Sequence, residues 1–159
     1  MQVPDQPRNL RLHPYQWVGL PLIILVPLLA LLNIFGETRD YAEDTASEIA
    51  LRVEYPSRYR FKQLESVHIL VENVSATYVD TLVVAFDPEY VRQFSTPTFI
   101  PTPSEPFEIE ILAVKPGEIR RVWAELQGEQ YGRHDGTIEA YRQGSLDTAR
   151  VFLSTFVFP

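Results

Sequence analysis

The chain has 159 residues, a formal net charge of −7 and no cysteine, which is material for about one domain. The missing thiols exclude thiolate catalysis, cysteine-based zinc or iron–sulfur sites and a disulfide framework. Asp5, Arg8 and Arg11 are the charged residues before Glu37, so the remainder carries a net −8; that balance lacks the basic footprint of a nucleic-acid binder and disfavours adhesion to anionic lipid.

From Trp17 to Gly36 the sequence WVGLPLIILVPLLALLNIFG runs without a charge. As a helix those residues span roughly 30 Å, the thickness of a hydrocarbon core. A secretory signal has a shorter apolar region and a small-x-small cleavage site, and neither Ala30 nor Gly36 opens one. The expected organisation is therefore an N-terminal arm over 1–16, a transmembrane helix over 17–36, a juxtamembrane linker over 37–47 and a folded domain over 48–159. Arg8 and Arg11 precede the span, whereas ETRDYAEDTASE after it is acidic, which puts the N-terminus on the cytoplasmic side. Tyr15, Trp17, Phe35 and Tyr41 stand where interfacial aromatics anchor a span. Pro21 and Pro27 lie inside the helix, and Pro27 should free the carbonyl of Ile23 and bend it. With Asn33, a side chain able to hydrogen-bond across helices, they are the candidate helix-packing residues.

Beyond the linker the pattern changes to period 2. Ile49, Leu51, Val53 and Tyr55 alternate with polar residues; Val67, Ile69 and Val71 share a face, as do Leu82, Val84 and Phe86. IEIL at 109–112, EIRRVWAEL, GTIEAY and TARVFLSTFVF add further extended segments, separated by turn-forming DP, PTP, KPG, GRHDG and RQGS. About seven or eight strands at this spacing predict an all-β sandwich after the single helix. Only the span, and EYVRQF at 89–94, approach helical periodicity.

The combination VHILVENVSAT, AVKPGEIRRVWAEL and GRHDGTIEAY resembles the immunoglobulin-like modules of the CARDB type found in bacterial extracytoplasmic proteins, over residues 48–158. The resemblance implies an immunoglobulin-like fold and binding rather than catalysis. It implies that Asn73 closes a turn after the second strand, that Gly117 forms a later turn, and that Gly132 and Gly136 form the following corner. It also favours a bacterial inner membrane with a periplasmic domain.

No catalytic, cofactor or metal site is expected. His13, His68 and His134 are dispersed, and the latter two read as surface residues; scattered carboxylates lack calcium-loop spacing. A triad of His134, Asp135 and a distant serine has no nucleophile elbow to support it. The notable segments are apolar. Prolines stiffen STPTFIPTPSEPF, where Phe99 and Ile100 either plug the sandwich or dock a partner. In VFLSTFVF, Val151, Leu153 and Val157 take one face and Phe152, Phe156 and Phe158 the other; a strand apolar on both faces is expected to be covered on both, the phenylalanines either packing beneath the proline segment or docking another subunit or the membrane surface.

These readings converge on a non-catalytic single-pass accessory subunit of a larger membrane complex, photosynthetic or respiratory. Its expected partners are integral membrane subunits, the bilayer and a basic soluble carrier, and not nucleic acid. The alternatives are a tethered module gripping an envelope polymer or extracellular protein, and a membrane-anchored hydrolase.

Overall fold

A computed structural model of the chain describes residues 14–31 and 36–159. It divides into two units, Met1–Gly36 and Glu37–Pro159. In the first, α1 (Pro14–Leu31) runs through both Pro21 and Pro27. Its first turn is PYQW, so only the part from Val18 to Leu31 is apolar, about 21 Å of helix. Among the described residues no helix is long and apolar enough to cross a membrane. The span expected over 17–36 therefore has no structural support from the described residues. Asn33 and Phe35 lie outside them, as do the arm to residue 13 and the side chains of Tyr15 and Trp17.

The second unit is all-β apart from one helical turn. In order it contains β1 (Thr38–Thr45), β2 (Ile49–Arg60), β3 (Leu64–Asn73), β4 (Val79–Phe86), α2 (Pro88–Val91), β5 (Phe94–Ile100), β6 (Glu108–Val114), β7 (Ile119–Gly128), β8 (Gly132–Arg142) and β9 (Thr148–Phe158). One hydrogen-bonded path runs β5-β7-β3-β2-β9-β8-β4-β6, with β1 added to β2. Every pairing is antiparallel except one, the short parallel joint of Arg58–Arg60 with Phe156–Phe158. That joint divides the path into a first sheet, β1-β2-β3-β7-β5, and a second, β9-β8-β4-β6.

Strand β2 belongs to both sheets. Its Ile49–Glu54 stretch pairs with β3, and its end pairs with β9. Pro56 stands between the two, where a missing N–H lets the strand leave one ladder and join the next. The sheets close over one core. Leu51, Val53, Ile69, Val71, Val122 and Leu126 from the first meet Leu82, Val84, Ile109, Ile138, Val151 and Leu153 from the second, all at most 3% exposed. Each such side chain contributes about 1.5–3 kcal/mol on burial. Phe86 and Phe99, from opposite sheets, bring their rings to 4.8 Å.

Three expectations change. Residues 38–45, expected as linker, form β1 in register with Ala50–Arg58 of β2. Only Ala42 packs on the core there, so no apolar period announces the strand, and its charges suit an unpaired edge. His134, expected at the surface, is 6% exposed. It shares the core-facing parity of Ile138 and Ala140; its Nε2 lies 2.8 Å from the Gln130 carbonyl. Gly136 lies within β8 beneath Tyr90 and not in a corner, whereas Gly117 takes the left-handed conformation (φ 71°) a turn requires.

Candidate functional site

Antiparallel register assembles a row of side chains on the outer face of the first sheet. Tyr41 stands opposite Glu54, Glu54 opposite His68, His68 opposite Trp123, and Trp123 opposite Ile100. One row thus crosses β1, β2, β3, β7 and β5. The next carries Glu43, Arg52, Leu70 and Arg121. Between them lies an open groove of about 750 Å³. Tyr41 is 77% exposed, Trp123 37% and Leu70 36%, so its apolar residues are left uncovered beside polar ones, and Ile100 at the end of the row is 48% exposed.

Arg39 fixes one side of this face. Its Nε donates to Glu54 Oε1 at 2.7 Å, Nη1 to Glu65 Oε2 at 3.2 Å and Nη2 to the Ser66 carbonyl at 2.6 Å. A single guanidinium therefore ties β1 to β2 and β3. Arg121 has no carboxylate partner among the described residues, so its charge is available to an incoming group. The Arg52–Glu43 pair at 3.2 Å has both side chains at least 70% exposed, and such pairs contribute little.

Glu65 titrates above the ordinary glutamate range: burial and neighbouring Glu37 outweigh the Arg39 charge and the Gln63 hydrogen bond. Its folded pKa is raised, so the stability it contributes is present below the unfolded pKa and is lost as pH rises through the folded one. Glu65→Gln should raise the urea midpoint near pH 7 and leave it unchanged at about pH 3. A fall near neutral pH would mean that the Arg39 pair outweighs burial.

The face also joins Ser66, His68 and Glu54, a trio the sequence reading missed because Glu54 comes from another strand. Ser66 Oγ is 3.0 Å from His68 Nε2, and His68 Nδ1 is 3.8 Å from Glu54 Oε2. Glu54 is held by Arg39, Ser66 lies in the β7 ladder, and Arg39 occupies its carbonyl. Glu54 and His68 of this trio stand in the row between Tyr41 and Trp123. Among the described residues no cluster of three or more metal-ligating side chains occurs.

The residues expected to dock a partner are dispersed. Phe99 packs against the core, and Ile100 stands opposite Trp123 at the end of the row. Phe152 and Phe156 lie on the outer face of the second sheet, 70% and 47% exposed, so they do not pack beneath the proline segment. Phe158 is half-buried, with the Arg60 guanidinium 5.8 Å from its ring. Pro21 and Pro27 are exposed along α1. Tyr41, expected at a membrane interface, lines the groove.

No family model and no curated protein matches the sequence. Among solved structures, the chain is similar to the CARDB domain of PF1109 from Pyrococcus furiosus in solution, at 11% identity and TM-score 0.49 over 69% of this chain and 94% of that one. The crystal structure of that domain in complex with di-metal ions gives 11% and 0.49 over 76% and 89%. An ASH/PapD-like domain of human CEP192 gives 12% and 0.42 over 71% and 87%. These likenesses extend over a segment of the chain at low identity; the site described above rests on this chain's own strands and side chains.

Proposed function

We propose that this chain is a membrane-anchored, non-catalytic binding subunit of a larger membrane complex. In this reading the apolar run of residues 17–36 holds it in the bilayer, N-terminus inside, and the first sheet's outer face receives a neighbouring subunit on the other side. The observation that carries it is the uncovered row from Tyr41 to Ile100, with an unpaired Arg121 beside Trp123. Interfaces concentrate their binding energy in such Trp, Tyr and Arg residues. Support for the anchor comes from α1, in which Leu22, Ile23, Ile24, Leu25, Val26 and Leu28 are 47–73% exposed, an arrangement that suits lipid or other helices.

The full chain, purified from its native membranes in mild detergent, should carry stoichiometric integral membrane subunits. Trp123→Ala combined with Arg121→Glu should weaken that association roughly tenfold or more while the fold persists by circular dichroism. A monomeric wild type, or unchanged association of the variant, sinks the reading. The second reading, a tethered module for an envelope polymer, draws on the exposure of Tyr41 beside Trp123. It expects the same variant to lose retention on isolated envelope polymer, with no stoichiometric protein present.

A further inference from the structure

The two ends of the sandwich differ in charge. At the end where β1 begins, Thr38 stands opposite Arg58, and Arg58 opposite Phe156; the Gln63 amide hydrogen-bonds the Glu37 carboxylate. The β2–β3 turn and the β7–β8 turn meet there. Lys62 Nζ lies 5.6 Å from the Phe61 ring centre, and Phe61 packs on Tyr131 at 4.4 Å. Arg60 lies over Phe158 in the same way. Leu64 and Tyr131 are 56% and 57% exposed. Neither Arg60 nor Lys62 has a carboxylate partner among the described residues, in a domain whose net charge is −8. The carboxylates of this end are Glu37, Glu65, Glu89, Glu129 and Asp135, of which Glu89 is paired with Arg92, Asp135 with Arg133 and Glu65 with Arg39. At the opposite end Glu48 is paired with Arg142 and Glu118 with Arg120, Asp147 accepts from Ser47 N, and Leu146 is fully exposed.

Cations seated on aromatic rings, with apolar tips between them, are the composition of a membrane-interface surface. Connectivity points the same way. Glu37 follows Leu31 by six residues, a reach of at most about 20 Å, so an anchored helix keeps this end near the headgroups. We infer that the Arg60–Lys62–Tyr131 end of the sandwich rests on the bilayer surface and takes anionic phospholipid headgroups. The inference rests on the anchor reading given above.

The chain lacks cysteine, so Glu129→Cys, at this end, and Leu146→Cys, at the other, each accept one spin label. The full chain is placed in nanodiscs rich in phosphatidylglycerol, and the label's accessibility to a water-soluble nickel chelate is read. Position 129 should be about fivefold less accessible than position 146, and either about 1 M salt or Arg60→Glu with Lys62→Glu should remove most of that difference. Equal accessibility at the two positions, in a chain that resists alkaline carbonate extraction, overturns the headgroup contact and leaves the anchor standing. Extraction by carbonate overturns both. Salt-independent protection in phosphatidylcholine alone overturns the anionic specificity.

Discussion

Gly136→Ala should cost the sandwich about 3 kcal/mol or more, the upper range for overpacking. A Cβ at this position would lie 2.3 Å from Tyr90 Cβ and 2.5 Å from its Cγ, well inside contact. Tyr90 cannot yield, because it is 1% exposed and α2 holds it over β8. Its hydroxyl lies 2.9 Å from Thr155 Oγ1, which donates in turn to the Pro56 carbonyl at 3.0 Å. That relay ties α2 to β9 and to the point where β2 changes sheets. Burial pushes the Tyr90 phenol up to about 12, against the opposing Thr155 hydrogen bond, so it stays protonated across the physiological range. Urea unfolding followed by far-ultraviolet circular dichroism should show a midpoint far below wild type. A variant within about 0.5 kcal/mol of wild type would mean that β8 and α2 can separate, contrary to this packing.

The strands that sequence periodicity found are those with one face in the core and one in water. Ile49, Leu51 and Val53, or Val67, Ile69 and Val71, bury alternate residues, and alternation is what a linear reading detects. β1 escaped it because Ala42 is its only side chain packed on the core, while charges fill the rest. His134 was misassigned for a related reason: Gly136 interrupts the apolar parity joining it to Ile138 and Ala140.

The groove was illegible for a different reason. Tyr41, Glu54, His68, Trp123 and Ile100 come from five strands, and only pairing register aligns them. Register depends on turns and on packing of the buried face, neither of which marks the outward residues. Net charge concealed the basic end likewise. A balance of −8 argues against adhesion to anionic lipid when charge is spread evenly, but the fold gathers Arg60 and Lys62 onto aromatic rings at one end. Local field, rather than total charge, governs contact within a Debye length of about 8–10 Å.

Asn73→Leu should destabilise the domain by about 3 kcal/mol, and Asn73→Asp by at least as much. Asn73 is 0% exposed and all its polar atoms are engaged. Nδ2 donates to the carbonyls of Thr77 at 2.8 Å and Val114 at 3.1 Å, and Oδ1 accepts from Ser75 N at 3.0 Å and Ser75 Oγ at 2.7 Å. Its own carbonyl takes the Gly117 N–H at 2.7 Å. One amide therefore closes the β3–β4 turn and fastens β3, of the first sheet, to the end of β6, of the second. Leucine would leave the Thr77 and Val114 carbonyls without this donor. Aspartate would set a buried carboxylate against both of them, an uncompensated charge unless it takes up a proton. The aspartate variant should consequently recover part of its loss on acidification, which the leucine variant should not. Urea titrations of both near pH 7 and about pH 4 would separate the lost donor from the added charge, since only the charge responds to protons.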